Sequence, residues 1–396
     1  MRMLFASRPA HLRRAGTYSA VATALLAACT TAAAQEAPLR VYGYVHYDLR
    51  DFSDDGSGSG AGSSEVRRVR PIFAYRRDSW SLRFMPDLQR NRNQVLDAYL
   101  DLTPGARWNL RIGRFKSPLS IDRLKSINAA AMVENSVVSE MTPNRDNGVL
   151  LGIDMLPDDA LRIELGVFDG AADGEVKGAV DHGMEAMLRL VATTAVGGAR
   201  LRYGGGLSGG HREGAVGDAR LGQYRTSGRA VWFRPAADAY ADGDTARSVL
   251  FADAYDGAWH GQVEWARSEA TVRADAASKT LAHRGWEVQL GRVLTGEDRD
   301  FARVVPARLT IPGAGIPVAI ELTGRYGEMR IDPDAFPIFA DPADSGSRLR
   351  VRGLSLGLWF PKEWRLTFDY EDSRVDLAAD GRLHERVLLT RAAITF

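Results

Sequence analysis

From residue 38 onward the apolar positions of this chain recur with a period of two. "WRLTFDY" puts Trp364, Leu366, Phe368 and Tyr370 on one face and Arg365, Thr367 and Asp369 on the other. "WHGQVEW" sets Trp259, Gly261, Val263 and Trp265 against His260, Gln262 and Glu264, and "VAIELTGRY" sets Val318, Ile320, Leu322, Gly324 and Tyr326 against Ala319, Glu321, Thr323 and Arg325. "LRIELGVF" and "VLDAYLDL" repeat the pattern, with Arg162, Glu164, Asp97, Tyr99 and Asp101 on the polar faces. Strict alternation of this kind marks half-buried strands. It predicts sixteen: 39–50, 66–76, 79–88, 95–103, 107–116, 148–155, 160–168, 184–193, 198–208, 247–256, 259–271, 284–294, 317–330, 348–360, 364–376 and 386–396.

A soluble sandwich would alternate too, and two features speak against it. Tryptophans fall at strand ends beside turns (Trp80, Trp108, Trp259, Trp286, Trp359, Trp364), as in the interfacial girdles of membrane barrels. Tight turns such as 103–107, 157–160, 256–258 and 361–363 alternate with long polar connections, which gives one rim of turns and one rim of loops. The expected fold is therefore all-β: a 16-stranded antiparallel transmembrane β-barrel with long extracellular loops folded into the lumen. The chain closes on "RVLLTRAAITF", with Leu388, Thr390, Ala392, Ile394 and Phe396 toward lipid and Arg391 toward the lumen. A barrel closes by pairing its last strand with its first, so a chain can stop in mid-strand. A terminal Phe396 in this alternation also resembles the signature that barrel-assembly machinery reads.

Composition refines the picture. Residues 1–34 hold four of the 51 basic residues and none of the 50 acidic ones, so without them the net charge moves from +1 to about −3. Global charge gives nucleic-acid binding no support. Residues 1–34 read as an export signal, with a basic start, a short apolar stretch and Ala-Ala-Ala ending at Ala34; the barrel domain is expected over 35–396. "LAAC" offers a rival cut that would leave a lipidated Cys29. Either cut leaves no cysteine pair, hence no disulfide and no thiolate metal cluster. Only five bases are lysine, Lys116, Lys125, Lys177, Lys279 and Lys362. A GC-rich genome explains the arginine excess, and so does selection for bidentate contacts with anions.

Three connections are long enough to enter a lumen. Residues 117–147 follow "RIGRFK" and bring Arg111, Arg114, Lys116, Arg123, Lys125 and Arg145 close in sequence. Folded inward they would make a cationic constriction; left outside they are ordinary solvated charges. Residues 209–246 carry five arginines, with Arg247 directly at their end, and 295–316 is too long for a turn-rim connection and is expected inside as well. Strand parity places Arg40, Arg83, Arg111, Arg162, Arg189, Arg202, Arg325, Arg365 and Arg391 in the lumen, diluted by Asp97, Asp101, Glu164, Glu185, Glu264, Glu321 and Asp369. The candidate anion-binding residues are thus Arg111, Arg114, Lys116, Arg123, Lys125, Arg145, Arg189, Arg325, Arg365 and Arg391, spaced as shallow sites that an anion enters and leaves.

"VLDAYLDLTPGARWNLRIGRFKSPLSIDRL", "NRDNGVLLGIDM", "ELGVFDG", "LTGED" and the closing "LLTRAAITF" together resemble the phosphate-selective porin O/P family over residues 39–396. The resemblance implies a homotrimeric porin in the bacterial outer membrane, surrounded by its lipid and passing phosphate or related small anions. It also implies an arginine ladder with a lysine cluster, of which Lys116 and Lys125 alone lie near the constriction. The competing readings are a general or non-phosphate porin and a non-conducting structural barrel. An enzyme is not expected: there is no Gly-x-Ser-x-Gly and no His-Glu-x-x-His. No motif calls for a cofactor or a metal.

Overall fold

The computed structural model describes residues 38–55, 62–89, 92–175 and 183–396; the expected signal at 1–34, with its Cys29 alternative, lies outside them. Nineteen strands follow in chain order. The first nine are β1 (Leu39–Asp55), β2 (Ser63–Arg77), β3 (Trp80–Gln89), β4 (Arg92–Leu102), β5 (Trp108–Phe115), β6 (Asp146–Asp154), β7 (Leu161–Phe168), β8 (Glu185–Val196) and β9 (Ala199–Glu213). After the short β10 (Tyr224–Arg225) and β11 (Val231–Phe233) come β12 (Tyr240–Asp256), β13 (Trp259–Ala274) and β14 (Ala277–Val293). The two-residue β15 (Leu309–Thr310) precedes β16 (Pro317–Arg330), β17 (Gly346–Trp359), β18 (Trp364–Leu377) and β19 (Arg382–Thr395).

Without β10, β11 and β15 these are sixteen wall strands, each hydrogen-bonded to its neighbours in sequence. β19 returns to β1 with Tyr44 opposite Thr395 and Asp48 opposite Arg391. Gly43 and Phe396 exchange both backbone hydrogen bonds, at 2.9 and 3.0 Å, so the last residue is paired and no sheet edge remains. The expected closed antiparallel barrel is what the chain forms.

The strands run longer than the alternation indicated on the loop side. β9 reaches Glu213 and β12 starts at Tyr240, so the second long connection shrinks to 214–239. Above the apolar belt both faces of a strand are polar or glycine ("GGHRE", "YADGDTAR"), and a polar–polar alternation carries no hydrophobic period. The glycine-rich segment 53–65 likewise gives its ends to β1 and β2. Two facings differ from parity. Leu96 is the extra residue where Met85 pairs with Asp97 and Pro86 with Val95, a bulge beside a proline that cannot donate to the ladder; Leu96 turns inward onto Tyr44, Ile72 and Met85. Trp359 is buried against Val293, Val304 and Ala319, inside the wall and not in an interfacial girdle. Trp108, Trp259 and Trp364 are exposed on the outside.

Connections on one rim are short: 78–79, 103–107, 155–160, 197–198, 257–258 and 360–363. The exception there is 294–316. The other rim carries the long segments 116–145, 214–239 and 331–345.

Candidate functional site

The segment 116–145 lies inside the barrel. It holds one helical turn, α1 (Ile121–Leu124), and a 3₁₀ turn at Val138–Met141, so most of its backbone has no ladder of its own. A buried backbone must find partners, and the wall supplies them. Its carbonyls accept from guanidiniums: Arg365 bonds the Ala130 and Ala131 oxygens, Arg391 that of Val133, and Arg325 those of Glu134 and Asn135. Its amides donate to wall carboxylates: Ile121 to Glu264 at 2.9 Å, Val133 to Asp369 at 2.6 Å and Val137 to Glu287 at 3.0 Å. The luminal arginines and acids are a complementary socket for one irregular loop.

Glycines on the inner face make room for its side chains. A Cβ on Gly206 would come 3.0 Å from Leu119, one on Gly285 3.1 Å from Met141, and one on Gly327 3.1 Å from Val137. Leu119, Ile121, Val137, Val138 and Met141 are all buried in the main apolar cluster. Burying a side chain of this size contributes about 1.5–3 kcal/mol, so the loop is docked by apolar contact as well as by polar pairing.

The ten sequence-predicted site residues divide into three groups. Arg189, Arg325, Arg365 and Arg391 face the lumen but are engaged. Arg189 pairs with Glu164 at 2.8 Å, Arg325 with Glu371 at 2.6 Å, and Arg391 with Asp48 at 2.7 Å; Arg365 stacks 4.0 Å over Trp359. Arg111, Lys116, Arg123, Lys125 and Arg145 come together around one chamber of about 610 Å³ that opens toward the turn rim. Arg114 does not join them. It donates to the Val95 carbonyl and to Asn147, on the face of β5 opposite Arg111 and the buried Phe115. Arg123 also braces the loop internally through Ser139 and Glu140. Lys125 reaches Gln262 and Asp253, and Arg145 holds Asp97 at 3.0 Å. Burial, with Arg145 next in weight, lowers the Lys116 ammonium to about 7.

A second chamber of about 410 Å³ lies toward the loop rim, lined by Arg67, Arg225, Arg229, Glu134 and Glu140 among others. Both chambers have Arg68, Arg123, Asn135 and Asn144 in their walls. These four residues are the partition between them. Glu134 stands beside it, 3.8 Å from each of Arg50, Arg67 and Arg391. Burial by itself would raise its carboxyl, but the surrounding guanidiniums outweigh that and hold it at about 2. Arg68 forms no ion pair with a carboxylate among the described residues; its Nη1 lies 3.4 Å from His46 Nδ1. The first chamber shows ten cationic side chains in its lining against Asp97, Asp122 and Glu363, so its surface is positive even though Asp101, Asp253 and Glu140 neutralise some of them from behind.

The other inward connections complete the site. Segment 214–239 seats Tyr224 and Trp232 in the main cluster, and Ser227 accepts from Arg325 at 2.8 Å. Segment 294–316 does enter from the turn rim. Arg299 bonds Glu321 at 2.7 Å and the Ala129 carbonyl, clasping the central loop from below. Sequence reasoning missed Arg68, Arg70 and Arg299. The signal for the first two was "VRRVRP" (66–71), where consecutive arginines hide the parity.

A closed sixteen-strand barrel with an apolar exterior, a charged lumen and an inserted loop defines a channel-forming outer-membrane protein, its long connections on the cell exterior. The family model for phosphate-selective porin O and P matches residues 39–396, and the chain belongs to that family. Among solved structures it is similar to the outer membrane channel DcaP of Acinetobacter baumannii (11% identity, TM-score 0.58, 90% of this chain and 97% of that one). It is similar too to OprB of Pseudomonas putida (11%, 0.55, 96% and 97%) and to OmpT of Vibrio cholerae (10%, 0.51, 90% and 97%). No curated protein matches it in sequence.

Proposed function

We propose that this outer-membrane diffusion channel prefers anions and passes phosphate or related small anions through the partition at Arg68 and Arg123. The observation that carries this reading is the shared lining of the two chambers. The residues common to both walls are two guanidiniums and two carboxamides, with no carboxylate among them. Guanidinium pairs bidentately with phosphate oxygens, and Arg68 has no carboxylate that an anion must first displace among the described residues. The engagement of Arg189, Arg325 and Arg391 by acids supports a second reading, a general porin with weak selectivity. The reversal potential across a planar bilayer under a chloride gradient separates the two.

The remaining parts of the reading rest on family membership and on the sequence. The working unit is a homotrimer embedded in outer-membrane lipid. Residues 1–34 are an export signal removed before assembly, leaving 35–396 as the barrel domain, and barrel-assembly machinery engages the strand that ends at Phe396. Export of wild-type and Phe396-deleted chains tests the last point.

A further inference from the structure

The outer wall of the barrel is not uniform around its circumference. On six consecutive strands, the outward-facing positions change from apolar or aromatic to arginine within one or two steps toward the loop rim. On β13 Trp265 is followed by Arg267, and on β14 Trp286 by Arg284. On β16 Tyr326 is followed by Glu328 and Arg330, and on β17 Leu354 by Arg352, Arg350 and Arg348. On β18 Tyr370 is followed by Asp372 and Arg374, and on β19 Leu388 by Arg386. The register sets Arg284 opposite Arg330 and Arg330 opposite Arg348. Like charges face each other directly across strands, an arrangement that opposes sheet stability and calls for an anion.

Glu269 pairs with Arg267 and Glu328 with Arg330, and together with Asp372 and Asp376 these acids do not balance the arginines of the patch. Asp376 alone serves Arg348, Arg350 and Arg382, at 2.7, 2.9 and 3.0 Å. Asp372 serves Arg374 and Arg386 at 3.1 and 3.4 Å. Arg284 and Arg352 have no carboxylate partner among the described residues, and Arg352 lies over the Tyr326 ring at 5.9 Å. In the opposite direction round the wall, the row through Arg267 continues as Ser248, Leu207, Leu188 and Leu165. The arginines cluster on this arc, whereas β5 on the other arc carries the single outward Arg114 beside Asn147.

We infer that this arc binds the phosphorylated headgroups of lipids in the outer leaflet. The aromatic and leucine positions below it face acyl chains, and the arginines above them stand at headgroup level, where clustered bases recognise anionic lipid and guanidinium engages phosphate bidentately. The occupant is a lipid phosphate and not a free ion, because the cations sit directly above an apolar surface that only a lipid would cover.

The test uses the refolded full-length barrel in detergent. A bis-phosphorylated acylated disaccharide is titrated and followed by native mass spectrometry and thermal unfolding, with its dephosphorylated form and inorganic phosphate as separate arms. The expected result is binding and a raised unfolding temperature with the phosphorylated lipid only. Binding should weaken at least tenfold in R348Q/R350Q/R382Q, and also in R284Q/R352Q, which disturbs no ion pair, with single-channel conductance unchanged in both. Equal binding of the dephosphorylated lipid, equal effects of free phosphate, or unchanged binding by R284Q/R352Q would overturn the proposal. So would dissociation of an oligomer by that variant, which would make the arc a contact between copies of this chain.

Discussion

Arg391 donates to both carboxylate oxygens of Asp48 at 2.7 Å, directly across the seam where the last strand meets the first. The same guanidinium bonds the Val133 carbonyl of the inserted loop. One side chain therefore fastens barrel closure and loop position together. A buried pair that loses one partner leaves an uncompensated charge, which costs about 3–5 kcal/mol. Arg391→Ala should lose that much stability in denaturant unfolding, and Asp48→Ala/Arg391→Ala should lose clearly less than the sum of the two singles. Additive singles would show that the pair is not coupled.

Arg68 differs in kind, since no carboxylate engages it among the described residues. In the proposed reading its charge attracts the permeating anion. Arg68→Gln should lower the anion-to-cation permeability ratio by about fivefold, the equivalent of about 1 kcal/mol of lost Coulomb attraction at close range in a partly wet site. Asp154→Asn/Arg162→Gln removes a neutral pair that lines neither chamber and should change the ratio little. Equal effects from both variants would mean the ladder acts as a whole and the partition has no special role.

Lys116 gives a pH signature. With its ammonium lowered to about 7, it is charged below that pH and neutral above it. Anion preference should fall between pH 6 and pH 8, and Lys116→Met should flatten the dependence at the high-pH level. A preference that rises with pH, or an unchanged slope in the variant, would show that another group titrates there.

The glycine sockets offer a steric test. A side chain at Gly206 meets Leu119 within 3.0 Å, so Gly206→Leu should lift the loop from the wall. Conductance should rise with added current noise, and proteolysis within 116–145 should speed up. Unaltered conductance would mean that the loop repacks in place.

The barrel was legible because lipid and lumen impose a two-residue period, and enough of the wall strands keep it within the membrane for all sixteen to be counted. What the period does not encode is the length of a strand beyond the membrane, where β9 and β12 become polar on both faces. A bulge such as that at Leu96 is equally invisible. The candidate site was legible in part. Arg123, Lys125 and Arg145 do gather at the chamber, because the loop that carries them folds inward. The roles of Arg325, Arg365 and Arg391 as donors to loop carbonyls depend on contacts 190 to 258 residues apart, and no local pattern records those. The inner-face glycines read as loose strand positions until the loop side chains above them are known.

The most direct test of the central claim is the reversal potential of single channels in a planar bilayer under a chloride gradient, followed by phosphate titration, for wild type and Arg68→Gln. An anion-selective wild type is expected, whose chloride current falls as phosphate occupies the partition, with a variant that loses most of both effects. A cation-selective wild type, or phosphate block that persists unchanged in the variant, would contradict that claim.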